Sequence, residues 1–300
     1  MILQRPLTDN LELLARQVVE GFILGLHKSP FHGFSVEFAE HRLYNQGDPL
    51  KHIDWRVYGR TDKLFIKRFE EETNLRCCVV MDTSSSMQFP RDEKDVSKLQ
   101  FSCVAAASIF QLLKRQLDAA ALALFDKSVY YLSDCRSSSS HYRMLTNELQ
   151  RLLDYTEDNK GTGAAKALHL VAEQMHKRSL IIIFSDMMDD AAHVDDLFSA
   201  IQHLRYNKHE VILFHVADKV RELAFEFENR PYEFVDMETG DRIKLQPQQV
   251  KDQYVSNMAA YRRMIEDKCH QYQVDRVVVD LGAPVEEVLH AFLIKRNKLM

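Results

Sequence analysis

Residues 76–86 read Arg-Cys-Cys-Val-Val-Met-Asp-Thr-Ser-Ser-Ser. The apolar run at residues 77–81 predicts a fully buried strand over residues 76–81. Asp82, Ser84 and Ser86 then place a carboxylate and two hydroxyls at alternate positions directly after that strand. Ligands of open α/β sheets bind just beyond the carboxyl ends of such strands, so the stretch predicts a site as well as a strand. The alternative is a strand-to-helix turn in which the serines cap backbone N–H groups.

The composition is that of a globular chain with a substantial core: 300 residues, of which 46% are hydrophobic. A net charge of −5 gives no general electrostatic footprint for nucleic acid or an anionic membrane. The five cysteines form no Cys-x-x-Cys pair and are expected to be reduced. Neither a signal peptide nor a membrane span is evident, so a cytoplasmic location is expected, with any membrane association made through partners.

From residue 76 onward, short β-like runs alternate with helical stretches, which predicts an α/β fold with helices on both faces of the sheet. The link Asp126-Lys127 fits a hairpin and predicts one antiparallel edge strand. We therefore expect a mixed, mainly parallel, six-stranded and Rossmann-like sheet. The predicted strands are residues 76–81, 119–125, 129–132, 180–185, 210–216 and 276–280. The predicted helices are residues 98–116, 141–155, 164–177, 194–206, 248–271 and 285–296.

Two segments depart from this alternation. Residues 231–245 predict a hairpin inserted between a strand and a helix. Residues 1–75 predict one helix, near residues 10–26, and an irregular or β segment in which a turn leads into a short strand at Trp55. The expected domains are therefore an amino-terminal segment, residues 1–75, that packs on a main α/β domain, residues 76–300.

Two further loops carry oxygen donors that could join the first. Thr162 lies between two glycines just before the helix that starts near Ala164, and Asp186 directly follows the strand 180–185. In a doubly wound sheet these loops can meet Asp82, Ser84 and Ser86 at one edge. Mg²⁺ prefers oxygen ligands and keeps several waters, so few charges and several hydroxyls suit it.

Taken together, these residues resemble the von Willebrand factor A fold and its metal-ion-dependent adhesion site. By that resemblance Asp82, Ser84 and Ser86 form the first loop of the site, Thr162 the second and Asp186 the third. The resemblance implies a bound Mg²⁺, or Mn²⁺ or Ca²⁺ in its place. It also implies one coordination position left for an acidic residue of a protein partner.

The amino-terminal segment resembles a narrower bacterial family, domain of unknown function 58. The matching residues are Gly33, Glu37-Phe38, Arg42, Tyr44, Gly47-Asp48, Ile53-Asp54-Trp55, Gly59-Arg60, Lys67 and Glu71. This resemblance implies partnership with a MoxR-type AAA+ ATPase in protein remodelling or complex maturation. The chain has no Gly-x-x-x-x-Gly-Lys-Ser/Thr loop, so ATP hydrolysis is expected of the partner.

The expected function is thus a non-enzymatic, metal-dependent interaction module. One alternative keeps the fold without the metal and makes the protein a scaffold. Another is Mg²⁺-dependent phosphoryl transfer with Asp82 as nucleophile and Asp186, Asp189 and Asp190 nearby. That chemistry needs an acid two positions after the nucleophile, where this chain has Ser84, a poor general acid.

Overall fold

The computed structural model describes residues 3, 10–28, 41–43, 55–67, 75–91, 95–154, 163–188 and 194–299. The helices are α1 Leu11–Lys28, α2 Trp55–Thr61, α3 Lys98–Arg115, α4 Ser139–Asp154, α5 Ala164–Gln174, α6 Val194–Tyr206, α7 Pro247–Gln271 and α8 Glu286–Leu299. The strands are β1 His41–Leu43, β2 Phe65–Lys67, β3 Arg76–Asp82, β4 Ala119–Phe125, β5 Val129–Leu132, β6 Leu180–Ser185, β7 Glu210–Ala217, β8 Tyr232–Val235, β9 Arg242–Leu245 and β10 Asp275–Asp280.

The chain divides into two compact units, one formed by residues 1–23 and 75–300 and the other by residues 24–74. In the smaller unit β1 pairs with β2 in antiparallel register, with His41 opposite Lys67. The prediction of a short strand at Trp55 is wrong, because α2 begins at that residue. Asp54, directly before it, is a residue type favoured at helix N-caps, and this local signal was missed.

The larger unit contains a six-stranded sheet in the order β10-β7-β6-β3-β4-β5. All neighbouring pairs are parallel except β4 and β5, which are antiparallel. The predicted mixed, mainly parallel sheet is therefore confirmed, including its antiparallel edge. Leu180 to Ser185 of β6 are all buried, as expected for a central strand covered on both faces.

Helices cover both faces of this sheet. On one face, side chains of α5, α6 and the end of α7 pack on alternate residues of the strands, such as Cys78 and Val80 of β3. On the other face lies α3, which contacts β3, β7, α4 and α8. Ser97 and Gln100 form a capping box that fixes where α3 begins. No helix in the described part of the chain is long and apolar enough to cross a membrane.

The predicted hairpin at residues 231–245 is present as β8 and β9, which form their own antiparallel sheet. It follows the helical turn Lys219–Leu223, beyond the carboxyl end of β7, and precedes α7. The main sheet reverses its direction of growth at β3, since the chain passes from β3 to β4 on one side and later returns to β6 on the other. Such a switch point is where ligands bind in open α/β sheets.

Candidate functional site

The first loop of the site is held in one conformation by hydrogen bonds to the Asp82 carboxylate. The Ser84 backbone N–H donates to Asp82 Oδ1 at 2.9 Å. The Ser84 and Ser86 hydroxyl oxygens lie 3.0 Å apart. The Thr83 hydroxyl donates to the Phe125 carbonyl oxygen at 2.8 Å and ties the loop to the end of β4. The alternating residues therefore bring three oxygen-bearing side chains together, as their spacing predicted.

The loop after β6 brings Asp186 to the same place. Ser185 donates from its hydroxyl to Asp82 Oδ2 at 2.9 Å, so the ends of β3 and β6 are bonded side chain to side chain. Met187 has a φ of 54°, which only a well-determined loop imposes on a non-glycine residue. Its carbonyl oxygen accepts a hydrogen bond from the Tyr261 hydroxyl of α7 at 2.6 Å. Asp186 is thereby held with 3% of its surface exposed.

Thr162, the predicted second loop residue, lies outside the described residues. Its neighbour Gly163 is described and is tightly confined at the start of α5. The Gly163 N–H donates to the Asp126 carbonyl oxygen at 2.6 Å. A Cβ at position 163 would lie 2.2 Å from the Lys127 carbonyl oxygen. The position therefore requires glycine, because the β4–β5 turn lies directly against the backbone of Gly163.

Lys98 is a site residue that the sequence analysis missed. Its Nζ lies 2.6 Å from Asp186 Oδ2 and 2.6 Å from Glu222 Oε1, and the residue is 1% exposed. Glu222 is in turn held by the Asp218 N–H, which donates to its Oε2 at 2.8 Å. A lysine at the start of an otherwise apolar helix was the available signal, because lysine is rarely buried unless it is paired.

These contacts shift the pKa values of the carboxyl groups in opposite directions. Burial and the charge of Asp186 raise the pKa of Asp82 to about 6, against hydrogen bonds from Ser84 and Ser185. Burial also opposes ionisation of Asp186, but the charge of Lys98 and its hydrogen bond lower that pKa below its ordinary value. Burial raises the pKa of Glu222 in spite of Lys98. The site thus has more buried carboxyl groups than Lys98 can neutralise.

A fourth carboxyl group reaches the site from the inserted hairpin. Glu238 lines the same 1310 Å³ cleft as Ser86, Lys98 and Asp186. Burial and the nearby charges of Asp186 and Asp82 raise its pKa to about 7, while hydrogen bonding with Ser86 opposes the rise. The role of this hairpin could not be predicted from the sequence. Nothing in the local sequence around Glu238 indicates that it folds back over β3 and β6.

The oxygen atoms at this site are suitable ligands for a hard cation. Asp82, Ser84, Ser86 and Asp186 offer carboxylate and hydroxyl oxygens, the ligands that Mg²⁺ prefers. Among the residues that the structure describes, no three His, Cys, Asp or Glu side chains form a metal-binding group. Cation binding at this site would therefore depend on the serine hydroxyls together with the two aspartates.

The sequence of this chain matches a known protein family. The family described as "Protein of unknown function DUF58" matches residues 40–264. The chain belongs to the DUF58 family. Uncharacterized proteins from Mycobacterium bovis and Mycobacterium tuberculosis are 23% identical to this DUF58 protein over 208 residues. The match covers 69% of the chain and 63% of those relatives' length.

Solved structures with similar folds include the conserved hypothetical protein BatB from Bacteroides thetaiotaomicron. It is 13% identical, with a TM-score of 0.44, and the match covers 75% of this DUF58 chain and 99% of BatB. The SpRpn10 VWA domain is 7% identical, with a TM-score of 0.41, and the match covers 72% of this chain and 94% of that domain. Similarity at this level carries no assignment of function.

Proposed function

We propose that this DUF58 protein is a non-enzymatic interaction module with a von Willebrand factor A-like fold. It binds Mg²⁺, or Mn²⁺ or Ca²⁺, through Asp82, Ser84, Ser86, Thr162 and Asp186, and presents the ion to an acidic residue of a protein partner. The observation that carries the proposal is the convergence of the β3 and β6 loops, where buried carboxyl groups outnumber the one lysine paired with them.

Each described residue has a separate part in this proposal. The Ser84 N–H and the Ser185 hydroxyl orient the Asp82 carboxylate from both sides. The hydroxyls of Ser84 and Ser86 add neutral oxygens and so leave positive charge on the ion. Lys98 donates to Oδ2 of Asp186 and the Met188 N–H to Oδ1, so each oxygen of this carboxylate is held. The bound ion supplies an electrophilic centre that an incoming carboxylate can ligate.

An interaction role suits these contacts better than phosphoryl transfer. Phosphoryl transfer needs a general acid two positions after the nucleophile. The residue at that position is Ser84, whose hydroxyl is a poor acid and lies 3.0 Å from the hydroxyl of Ser86. Carboxylate and hydroxyl oxygens of this kind are the ligands that a hard cation prefers.

Metal titration of thermal stability tests the site. A ligand at a hundredfold excess over its Kd stabilises a folded protein by about 2.7 kcal/mol, which corresponds to a rise in Tm of roughly 5–10 °C. We expect Mg²⁺ to produce such a rise in the wild type and little or none in Asp82→Ala. Asp134→Ala, which removes an exposed carboxylate paired with Arg136, should respond like the wild type. Equal responses in all three proteins would contradict the metal site.

The partner is proposed to be a MoxR-type AAA+ ATPase, on the strength of the family relationship. A pull-down from native lysate tests it with three arms: wild type with Mg²⁺, wild type with chelator, and Asp82→Ala with Mg²⁺. We expect an AAA+ ATPase in the first arm alone. Its recovery in all three arms would retain the partner and favour the metal-independent scaffold. Its absence from all three would contradict the adaptor role.

A further inference from the structure

The tip of the β8–β9 hairpin has a defined conformation. Asp236 Oδ1 accepts hydrogen bonds from the Glu238 N–H at 2.7 Å and the Thr239 N–H at 2.9 Å. The Asp236 N–H donates to the Asp241 carbonyl oxygen at 2.8 Å, and Gly240 takes a φ of 81° that closes the turn. The direction in which Glu238 leaves the backbone is therefore set by the turn itself.

The base of the hairpin is anchored by aromatic packing. Phe234 of β8 stacks on Phe225, with ring centroids 5.7 Å apart, and Phe225 lies 4.3 Å from the Tyr254 ring of α7. Phe227 packs edge-on against Phe234 at 5.2 Å. Offset and edge-on aromatic pairs of this kind stabilise a fold beyond the effect of their buried area. The hairpin is thus fixed against the same segment that carries Glu222.

The Glu238 side chain ends beside the oxygen ligands of the proposed site, where hydrogen bonding with Ser86 leaves one of its two oxygens unpaired. It lines the cleft with Ser86 and Asp186, and its Oε1 is buried with no hydrogen-bond partner among the described residues. An unpaired buried oxygen of this kind destabilises the fold, and more so when it is charged. Carboxylates brought close together repel unless a proton or a cation lies between them. A cation bound by Asp82 and Asp186 would remove both costs.

We propose that Glu238 becomes an internal ligand once the site holds a cation. Asp82, Asp186 and Glu238 form no metal-binding group as they stand in the described structure, so the Glu238 side chain would turn toward the ion from its place in the same cleft. It would then occupy the coordination position that a partner's acidic residue would otherwise take. The inference rests on the proposed function, because it requires the ion. It adds that the isolated protein is self-blocked: a partner carboxylate reaches the ion only when the hairpin tip moves aside. The hairpin would then set which partners can bind, since a competitor must displace an anchored carboxylate.

Water-proton relaxation by bound Mn²⁺ tests this inference, because it reports the number of exchangeable waters on the ion. We expect Glu238→Ala to bind Mn²⁺ roughly tenfold more weakly than the wild type and to show about one additional water on the ion. Glu238→Gln, which keeps the side-chain shape, should change both quantities in the same direction. The control is Glu233→Ala, which removes a carboxylate of the same hairpin paired on its outer face with Arg242 and Lys244.

Acetate then serves as the probe for an incoming carboxylate. It should lower the relaxation of the Mn²⁺ complex of Glu238→Ala by displacing the added water, and leave the wild-type complex unchanged. If Mn²⁺ binds the wild type and Glu238→Ala with equal affinity and equal water number, Glu238 is not a ligand of the ion, and the proposed metal site is unaffected. If the wild type binds no Mn²⁺, both the proposed function and this inference are wrong.

Discussion

Lys98→Met is expected to destabilise the protein by about 3–5 kcal/mol, the usual cost of breaking a buried ion pair by removing one partner. The substitution keeps the length and most of the volume of the side chain but leaves Asp186 and Glu222 without their cation. The Asp186 side chain is 3% exposed and the Glu222 side chain 13%, so water cannot replace the lost charge. Urea denaturation of chelated protein measures the loss.

The loss should depend on pH. In the wild type the lowered pKa of Asp186 stabilises the fold above the ordinary carboxyl value of 3.8, and this contribution is lost only as pH falls through the lowered pKa. The raised pKa of Lys98 stabilises the fold below 10.5 and is lost only as pH rises through the raised value. The pair is therefore intact at pH 5 and at pH 8. In the variant, burial favours protonation of both carboxyl groups, so the deficit should be smaller at pH 5.

Lys114→Met, in the last turn of the same helix, where the lysine is only half-buried, is the matched control and should change stability by less than about 0.5 kcal/mol. An equal, pH-independent loss in both variants would show that Lys98 acts through helix packing and not through charge. Mg²⁺ adds a second measurement. Because Lys98 competes with a cation for Asp186, Mg²⁺ should restore part of the stability that Lys98→Met loses. The stabilisation by Mg²⁺ should therefore be larger in Lys98→Met than in the wild type.

Gly163→Ala is expected to destabilise the protein by about 1–3 kcal/mol, the range for an atom forced into a packed site. The new Cβ would lie 2.2 Å from the Lys127 carbonyl oxygen and 2.6 Å from its carbon, so a backbone segment must shift. Either the β4–β5 turn or the backbone at Gly163 would have to move. Displacement of Thr162 should also reduce the rise in Tm produced by Mg²⁺.

Gly282→Ala is the control for this substitution, because the nearest atom to a Cβ there, Asp280 Oδ2, lies at an ordinary 3.5 Å. It should leave the Mg²⁺ response unchanged and alter stability by less than about 1 kcal/mol. If Gly163→Ala were as stable as Gly282→Ala, the close contact between the Gly163 backbone and the β4–β5 turn would be contradicted. If it were destabilised but kept the full Mg²⁺ response, residue 162 would not contribute to the ion.

The elements that the sequence predicted best are those with strong local patterns. Residues 180–185 were predicted as a buried strand from an unbroken apolar run, and β6 has those bounds. The Asp126-Lys127 link predicted the antiparallel pairing of β4 and β5. Residues 55–61 form a helix where a short strand was expected, because a segment this short carries too few residues for either periodicity to decide.

In the candidate site, too, the residues with a local sequence pattern were predicted and those without one were not. Asp82, Ser84 and Ser86 are neighbours in sequence, so the turn after β3 brings them together without help from the rest of the chain. Asp186 could be expected beside them once a doubly wound sheet was inferred, because parallel strands end at one edge. Their role as metal ligands stays a prediction, as does that of Thr162, which lies outside the described residues.

The alternation of strands and helices and the place of the first loop follow from local sequence, because hydrophobic periodicity and turn chemistry act over a few residues. The charge balance of the site depends instead on how distant segments pack. Lys98 is 88 positions from Asp186 and 124 from Glu222, and no local pattern relates residues so far apart. Glu238 likewise reaches the carboxyl edge of the sheet through packing of the hairpin on Phe225, a contact set by long-range burial and not by local propensity.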